Sequence, residues 1–419
     1  MTQSEQSPKF FFSAGEPSGD IHAAGLISEL RRLMPGATFR GFGGPHMEET
    51  GCQLDVPMTR LAVMGLSRVL WNIRTFRGWL RQADQIFRDD RPDAVILVDF
   101  PGFNWHVAKK AKAAGIPVYY FMPPQIWAWA QWRIRKMKRL TDHVLCCLDF
   151  ERKWFESRGC DVQLIGHPFL EETCKRTFDE SFMESISDQV GQAPMLTVLP
   201  GSRDQEVANN LSDMLDAVVE LQKRLPKLRP FIAAFKESQA QTIRKELERR
   251  KLTLPVFVGK TPELMKLATC CLAVSGSVSM ELLALAKPSV IYYRVGRFPL
   301  FVSRFFRRVK YITLTNLIAV DRMENESIFY DDHTWLVPAK QTEHESSLAV
   351  FPEFLVCKNS AGQVADCLEQ WLTHPEELKE RSQRLHDLLN WALADQTPCA
   401  QAATYIESTF RLPTDGGRD

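Results

Sequence analysis

An acidic residue ends the most apolar run in the first half of the chain. Residues 94–98 read Ala-Val-Ile-Leu-Val, and Asp99 follows directly, before Phe-Pro-Gly-Phe and Asn104. A carboxylate at the end of a buried parallel strand lies at the mouth of the crevice where such sheets bind ligands, so it can act as a general base. Capping of the following helix explains the same position. Position alone leaves both interpretations open.

A turn of small and acidic residues follows the first predicted strand. Residues 13–20 read Ser-Ala-Gly-Glu-Pro-Ser-Gly-Asp and lead into a helical pattern. Small residues let backbone amides approach a ligand, and the start of a helix favours anionic or oxygen-rich groups. Glu16, Ser18, Gly19 and Asp20 are therefore candidates for binding a sugar, with simple helix capping as the alternative.

Aromatic and basic residues follow a third predicted strand. Two prolines exclude a regular helix there, so Gln125, Trp127 and Trp129 are placed on a loop, and Arg133 begins a run of cations. Aromatic rings beside basic groups suit a sugar ring and a phosphate, whereas packing between domains is the competing explanation. We assign Gln125, Trp127 and Arg133, together with Asn104, to the sugar-binding group.

The second half of the chain contains two further turns of this kind. Gly201, Ser202 and Arg203 follow a predicted strand and precede a helix that begins near Glu206. Backbone amides, the helix dipole and a guanidinium converge in such a turn, which predicts a diphosphate site. A strand, a small-residue turn and a helix recur at a second place, with the candidate residues Ser275, Gly276, Ser277 and Glu281. Two such turns in one domain make a nucleotide the natural ligand, although neither GxxxxGK[ST] nor GxGxxG is present.

The elements that must position these turns alternate along the chain. At 419 residues the chain exceeds the roughly 250 to 300 residues at which one core stops growing, so two domains are expected. Short β-rich runs alternate with amphipathic helical stretches, which is typical of parallel sheets covered by helices. The pattern degrades near residues 170–194 and then restarts. We predict domains over 1–190 and 191–362, with an irregular insertion near 320–351, and helices over 363–419.

Composition excludes several functions. The formal net charge is +1, and that balance argues against nucleic acid as a partner. The first residues lack a secretory pattern, and no apolar run reaches the ~18 residues of a membrane-spanning helix, so a cytoplasmic protein is expected. The ten cysteines show no zinc spacing. No metal site or cofactor is predicted.

The segment Met64–Arg81 predicts a helix at the membrane surface. At 100° per residue, Val69, Ile73, Phe76 and Leu80 form one stripe toward the core. Trp71 and Trp79 then lie off that stripe, near several arginines. Such a helix suits the headgroup boundary of a bilayer, and an ordinary exposed or interdomain helix is the alternative.

Taken together, the turns resemble the lipid-A-disaccharide synthase family. The resemblance runs in order over most of the chain, from about Phe11 to the C-terminal helices. The matching motifs are Ala14-Gly15-Glu16 with Ser18-Gly19-Asp20, Gly43-Gly44-Pro45 with Met47, Leu61–Gly65, Asp99–Asn104, Gln125 with Trp127-Ala128-Trp129 and Arg133, Gly166-His167-Pro168, Leu199–Arg203 with Glu206, and Ser275-Gly276 with Glu281.

The resemblance implies a fold and a reaction. It implies the GT-B fold, with two Rossmann-like domains facing a cleft, and inverting transfer of diacylglucosamine from UDP to diacylglucosamine 1-phosphate in a β(1→6) linkage. It matches Asp99 to the base, and the turns at Gly201 and Ser275, with Asn316 and Glu353, to the donor nucleotide. It further implies a peripheral protein at the cytoplasmic side of the inner membrane, and it suggests a homodimer that exchanges C-terminal helices.

This sequence also departs from the family pattern. Ala130 stands where an Arg is common, Thr315 replaces a Pro, and the insertion after Ala319 interrupts the donor segment. Glu353 aligns with an acidic position of that segment, but no clear Gln follows it. Another GT-B enzyme acting on UDP-GlcNAc, such as an epimerase, and a non-catalytic lipid-binding homologue are the competing interpretations.

Overall fold

The computed structural model describes residues 7–59, 73–296, 300, 306–323, 327–330, 349–393 and 397–411. The chain divides into two compact units. The first contains Met1–Phe169 with Asp395–Asp419, and the second contains Leu170–Ala394. Each unit is built around its own parallel sheet.

The first unit contains a seven-stranded parallel sheet. Its strands are β1 (Lys9–Ala14), β2 (Thr38–Phe42), β3 (Gln53–Val56), β4 (Ala94–Val98), β5 (Val118–Phe121), β6 (His143–Cys146) and β7 (Val162–Leu164). The order is β3-β2-β1-β4-β5-β6-β7. The chain therefore winds outward in opposite directions from β1 and β4, and the gap between their carboxyl ends is where such sheets bind ligands.

Helices cover both faces of this sheet. They are α1 (Pro17–Leu33), α2 (Pro45–Glu49), α3 (Ile73–Asp89), α4 (Pro101–Ala113), α5 (Ile126–Trp129), a 3₁₀ turn (Gln131–Arg133), α6 (Ile134–Leu140) and α7 (Asp149–Glu156). Helix α8 (Pro168–Cys174) spans the division between the two units. The strands are apolar throughout because both faces are covered. Phe10 and Phe12 pack on one side, while Phe11 packs edge-on against Phe42 and Phe87 on the other, with centroid distances of 5.1 and 5.0 Å.

The second unit repeats this winding with six parallel strands. They are β8 (Met195–Leu199), β9 (Arg229–Ala234), β10 (Val256–Val258), β11 (Cys270–Ala273), β12 (Ser289–Arg294) and β13 (Glu353–Val356). The order is β10-β9-β8-β11-β12-β13, which places the reversal between β8 and β11.

The helices of the second unit and of the C-terminus complete the fold. They are α9 (Glu180–Val190), α10 (Asp204–Arg224), α11 (Glu237–Arg250), α12 (Thr261–Leu267), α13 (Val278–Ala284), α14 (Leu314–Met323), α15 (Ala361–Thr373), α16 (Pro375–Leu393) and α17 (Pro398–Arg411). The prediction of two Rossmann-like sheets with a helical C-terminus is confirmed.

The division between the units differs from the predicted boundary at 190. Helix α9 belongs to the second unit because it packs against α12, with Phe182 5.1 Å from Phe257 between ring centroids and Asp179 paired with Lys260. At the other end, α17 returns to the first unit, where it lies along α1 and buries Ala402 and Ile406 in that core. The polar stretch that begins after Phe169 is therefore the start of a domain rather than the end of one.

The predicted helix Met64–Arg81 lies only partly within the described residues. Its described part belongs to α3, and Val69 and Trp71 are outside that range. Among the described residues, none of the helices is both long and apolar enough to cross a membrane.

Trp79 on α3 does not lie where the periodicity placed it. Its ring contacts Phe76 and Phe103 edge-on, at centroid distances of 5.2 and 6.3 Å, and it is half-buried. The expectation that Trp79 lies off the core stripe is wrong, because residues three apart share a helix face and the face that includes Phe76 packs on α4.

Candidate active site

Asp99 and Glu16 lie on neighbouring turns at the carboxyl edge of the first sheet. Asp99 follows β4 and Glu16 follows β1, and these strands are paired in parallel from Phe10 to Ala14. The two turns approach so closely that a Cβ atom on Gly15 would lie 2.1 Å from Cδ1 of Phe100. Only glycine fits there, because any larger residue would push the turns apart.

The backbone at Asp99 is held in an unfavourable conformation. Asp99 and Phe100 have φ angles of +44° and +42°, in the left-handed region that residues with a side chain rarely enter. Two donors bind the backbone oxygen of Asp99: the Asn104 side-chain amide and the Tyr120 hydroxyl, each at 2.8 Å. Helix α4 begins only at Pro101, and no side chain caps it. The interpretation that Asp99 caps this helix is therefore wrong. Asp99 instead lies in a strained turn that orients its carboxylate.

The Asp99 carboxyl has the electrostatics of a base. Burial and, after it, the neighbouring Glu16 carboxylate together raise its pKa to about 6, while the Phe100 backbone amide opposes the shift. A carboxylate with a pKa near neutrality remains ionised at pH 7 but is more basic than an exposed one.

Asn104 lies beneath this turn rather than at its surface. Its side chain is completely buried: Oδ1 accepts from the Ser13 hydroxyl at 2.7 Å, and Nδ2 also donates to the backbone oxygens of Ser13 and Val98. Every polar atom of the amide is satisfied by the ends of β1 and β4. The expectation that Asn104 binds a sugar directly is replaced by a positioning role.

Asp20 is likewise engaged within the protein. It is buried, and its carboxylate accepts from the backbone amides of Gly44, His46 and Met47 at 2.9, 3.1 and 3.1 Å. These amides open α2, so Asp20 caps a helix other than its own. This correction leaves Glu16 as the exposed carboxylate of the first turn.

The other residues of that turn differ in exposure. Ser18 is exposed on the first turn of α1, whereas Gly19 is buried near Val98. Glu16 precedes the helix, but its side chain makes no capping hydrogen bond. Contacts of Glu16, Ser18 and Gly19 with a sugar stay predictions.

The aromatic stretch after β5 divides into buried and exposed rings. Trp127 is completely buried and donates from Nε1 to Oε1 of Glu151 at 2.8 Å. Burial raises the pKa of that carboxyl to about 7. Trp127 therefore anchors the short helix α5, where a loop was predicted, because the two prolines precede this helix rather than interrupt it. The expectation that its ring meets a sugar is not compatible with this position. Gln125 and Arg133 are exposed.

The first turn of the second unit follows β8. Gly201 has φ +124°, and a Cβ there would lie 2.6 Å from Cβ of Glu206. The Glu206 carboxylate accepts from the amides of Ser202 and Arg203 at 3.1 and 3.2 Å. These amides were expected to cradle a diphosphate, but the protein's own carboxylate caps them. The side chain of Arg203 also donates to Glu206 at 2.8 Å and is 75% exposed, so its guanidinium is the cation that this turn presents.

The second turn follows β11, beside β8. Gly276 and Ser277 are exposed, while the Ser275 hydroxyl donates to the backbone oxygen of Ile312 at 3.0 Å. Glu281 on α13 accepts from Arg176 at 2.7 Å, so this carboxylate is paired within its own unit. Gly276 and Ser277 are thus the members of this turn placed to meet a ligand.

Asn316 and Glu353 form a buried network rather than an exposed surface. Glu353 accepts from the amides of Ile312 and Thr313 at 2.7 and 2.9 Å and from the side chain of Asn316 at 2.8 Å. Burial raises the pKa of the Glu353 carboxyl, and these donors oppose the shift. The backbone oxygen of Ile312 accepts the hydrogen bond from the Ser275 hydroxyl, so this network positions the turn that contains Ser275. The expectation that Asn316 and Glu353 contact the nucleotide directly is therefore corrected.

Thr315 has a structural explanation. Its hydroxyl donates to the backbone oxygen of Ser279 at 2.8 Å, which joins α14 to α13. A proline at this position has no side-chain donor, so the threonine supplies a connection that a proline cannot. Ala130 is buried at the end of α5. Part of the insertion at 320–351 lies outside the described residues.

Sequence reasoning missed Tyr120. Its ring lies in the apolar strand β5 and its hydroxyl reaches the turn after β4. A tyrosine in an otherwise apolar buried strand is a signal, because its hydroxyl must find a partner. Which partner it finds depends on the neighbouring strand.

Two doubly wound parallel sheets, each carrying polar turns at its switch point, define the GT-B class of fold. The calicheamicin glycosyltransferase CalG4 has this fold, with a TM-score of 0.54 at 14% identity over 96% of this chain and 98% of that one. The chain belongs to the lipid-A-disaccharide synthetase family, whose model matches residues 10–346. The lipid-A-disaccharide synthase of Myxococcus xanthus is 34% identical over 319 residues, which cover 76% of this chain and 83% of the relative.

The fold is shared with other enzymes of nucleotide sugars. The UDP-GlcNAc 2-epimerase of Neisseria meningitidis, solved with UDP-GlcNAc, matches with a TM-score of 0.56 at 14% identity over 96% of this chain and 99% of that one. At this identity the likeness concerns the fold alone, and the choice of reaction rests on the family.

Proposed function

We propose that this protein is a lipid-A-disaccharide synthase. It transfers 2,3-diacylglucosamine from UDP to the 6-hydroxyl of 2,3-diacylglucosamine 1-phosphate, which forms a β(1→6) disaccharide 1-phosphate and releases UDP. Family membership supports the substrates. The observation that carries the chemistry is the half-buried Asp99 carboxylate on a strained turn beside the turn of Glu16. Burial raises the pKa of this carboxyl to about 6, which suits a base.

In this proposal Asp99 is the general base. The acceptor hydroxyl loses its proton to Asp99 as its oxygen attacks the anomeric carbon, and the bond from that carbon to the UDP oxygen breaks with inversion. The UDP leaves with the electron pair of the broken bond. A positioned base of this kind contributes about 10² to 10⁴-fold to the rate.

The acceptor and donor are assigned to different units. Acceptor binding in the first unit is supported by four exposed candidates: Glu16, Ser18, Gln125 and Arg133. They follow β1 or β5, the two strands that pair with β4, and Asp99 directly follows β4. In the second unit, the exposed Arg203 side chain with Gly276 and Ser277 supports binding of the UDP diphosphate, because a guanidinium and backbone donors suit its charge.

One assay tests the function against its competitors. Purified protein is given UDP-diacylglucosamine and diacylglucosamine 1-phosphate with a chelator and no added divalent metal, and UDP and disaccharide are quantified by mass spectrometry. The proposal expects stoichiometric formation of both. Interconversion of UDP-GlcNAc alone would indicate an epimerase, and lipid binding without turnover would indicate a scaffold.

We also propose peripheral association with the cytoplasmic face of the inner membrane and a homodimer. The acyl chains of both substrates support membrane association. Helix α17 follows the second unit in the chain but packs in the core of the first unit, which supports a homodimer that exchanges this helix. Sedimentation of Trp71→Ser with anionic vesicles tests the contribution of Trp71, with Trp391→Ser as the control. Light scattering tests the dimer.

A further inference from the structure

A dense run of cations lies on α6 and the turn before it. Residues 131–139 read Gln-Trp-Arg-Ile-Arg-Lys-Met-Lys-Arg, without a carboxylate. Met137 and Leu140 are buried and attach the helix to the unit. Arg135, Lys138 and Arg139 are exposed, and Lys136 is half-buried. We call the cations of this helix the α6 basic surface: Arg135, Lys136, Lys138 and Arg139.

The surrounding protein does not neutralise the α6 basic surface. In the part of the chain that the structure describes, none of its four members forms an ion pair with a carboxylate. The charges that face it from α4 are also positive. Burial lowers the pKa of Lys136, and Arg133 and Arg139 lower it further; His106 on α4 shows the same pattern, with burial first and then Lys136 and Lys109.

Two large aromatic rings accompany these cations. Trp129 and Trp132 are 46% and 61% exposed, which is unusual for side chains that gain much from burial. Exposed tryptophans beside lysines and arginines are typical of surfaces at the lipid headgroup boundary, where the rings meet the acyl interface and the cations meet phosphates.

The α6 basic surface is connected to the turn that carries Asp99. The Lys136 ammonium lies 5.2 Å from the ring centroid of Trp105, and that ring lies 5.4 Å from Tyr120. Tyr120 in turn donates to the backbone oxygen of Asp99. The rings of Trp105 and Tyr120 therefore connect the Lys136 ammonium to the turn that carries Asp99.

We propose that the α6 basic surface docks the protein on the phosphate headgroups of an anionic bilayer, with Trp129 and Trp132 at the headgroup boundary. The inference rests on the proposed function in one respect, since a bilayer-embedded acceptor gives such docking its purpose. The bilayer is the partner that fits this surface best. Cations without a carboxylate partner attract lipid phosphates, and the exposed indole rings favour a bilayer over a soluble anion.

The test uses the full chain and vesicles of two compositions. The parent is expected to sediment with vesicles rich in phosphatidylglycerol and not with phosphatidylcholine vesicles, and to be released by salt as the charges are screened. The Arg135→Gln/Lys138→Gln/Arg139→Gln variant should lose on the order of 100-fold in partitioning, because each cation near an anionic surface is worth about fivefold. Trp132→Ser should weaken binding at high salt as well as low.

A matched control separates local from general charge effects. Lys223, Lys227 and Arg229 are exposed in the second unit and make no ion pair in the described chain, so their triple change to Gln removes the same charge elsewhere. That control should sediment like the parent. Equal sedimentation of the α6 triple variant and the parent overturns the proposal. Displacement of the parent by glucosamine 1-phosphate at constant ionic strength also overturns it, because the surface would then be a substrate-phosphate site.

The two proposals can fail separately. With substrates dispersed in neutral detergent micelles, the α6 triple variant should turn over at the parental rate, whereas with substrates embedded in anionic vesicles its rate should fall in parallel with binding. A parent that binds vesicles but forms no disaccharide contradicts the proposed function alone. A triple variant with a reduced rate in micelles contradicts the docking role alone.

Discussion

The side-chain amide of Asn104 donates a 2.8 Å hydrogen bond to the backbone oxygen of Asp99, across five residues of chain that include the strained turn. The same amide spans the ends of β1 and β4. Asn104 therefore couples the stability of the sheet edge to the direction of the Asp99 carboxylate.

Replacing Asn104 should affect both stability and turnover. Asn104→Ala removes the acceptor of the buried Ser13 hydroxyl and one donor to the backbone oxygens of Ser13, Val98 and Asp99, so the free energy of unfolding should fall by about 1 to 3 kcal/mol. Turnover should fall as well, because the turn loses a donor that holds it in a left-handed conformation. Chemical denaturation and steady-state rates measure the two effects. A destabilised variant with parental turnover would contradict the positioning role.

Asp99→Asn tests the base directly. The change preserves shape and removes basicity, so turnover should fall by at least about 10²-fold while UDP affinity stays near that of the parent. Calorimetry with UDP and a disaccharide assay measure these quantities. Near-normal turnover by the folded variant would falsify the role and make Glu16 the next candidate, since the Asp20 carboxylate is committed to α2.

The same substitution should stabilise the fold above neutral pH. The pKa of Asp99 is raised on folding from 3.8 to about 6, so ionisation between these values is easier in the unfolded chain and the ionised form opposes folding above pH 6. Asp99→Asn removes this penalty, which is of the order of 1 to 3 kcal/mol. Denaturation at pH 8 should show the gain, and at pH 4 it should be small. A gain that does not depend on pH would point to another cause.

The pH profile should depend on Glu16. Because Asp99 must be ionised to accept a proton, kcat/KM should rise through about pH 6 and level off above it. Glu16→Gln removes a like charge beside Asp99, so the pKa of Asp99 should fall and the acidic limb should move to lower pH. Glu48→Gln, an exposed residue on α2, is the control and should leave the profile in place. An unmoved limb in Glu16→Gln argues against the electrostatic pairing.

Arg203→Ala should weaken UDP binding. A charge-assisted hydrogen bond to the diphosphate contributes on the order of 1.5 to 3 kcal/mol, which corresponds to about 10 to 100-fold in the dissociation constant. Arg229→Ala removes an exposed guanidinium at the opposite edge of the sheet and should not change the affinity. Unchanged UDP affinity in folded Arg203→Ala counts against the assignment of the donor turn.

The sequence by itself determined that each half contains a parallel sheet covered by helices, and it determined the location of the turns. Short, continuous apolar runs such as Ala94–Val98, bounded by turn residues, are typical of strands covered on both faces, and the small residues after them mark the places where the chain must turn closely. Since ligands bind where parallel strands of opposite winding end, the turns at Glu16, Asp99, Gly201 and Ser275 could be singled out before any contact was known.

Only the tertiary structure decided which side chains of those turns are available to a ligand. Asp20, Asn104, Glu206 and Glu353 all have the polar groups of a binding residue, yet each is satisfied by the protein itself. Burial of a polar group is favourable only when a partner meets it, and the partner is supplied by packing. The hydroxyl of Ser13 and the amide of Asn104 are 91 residues apart along the chain. Local pattern cannot reveal such a meeting, because strand pairing brings the two residues together only after the sheet has formed.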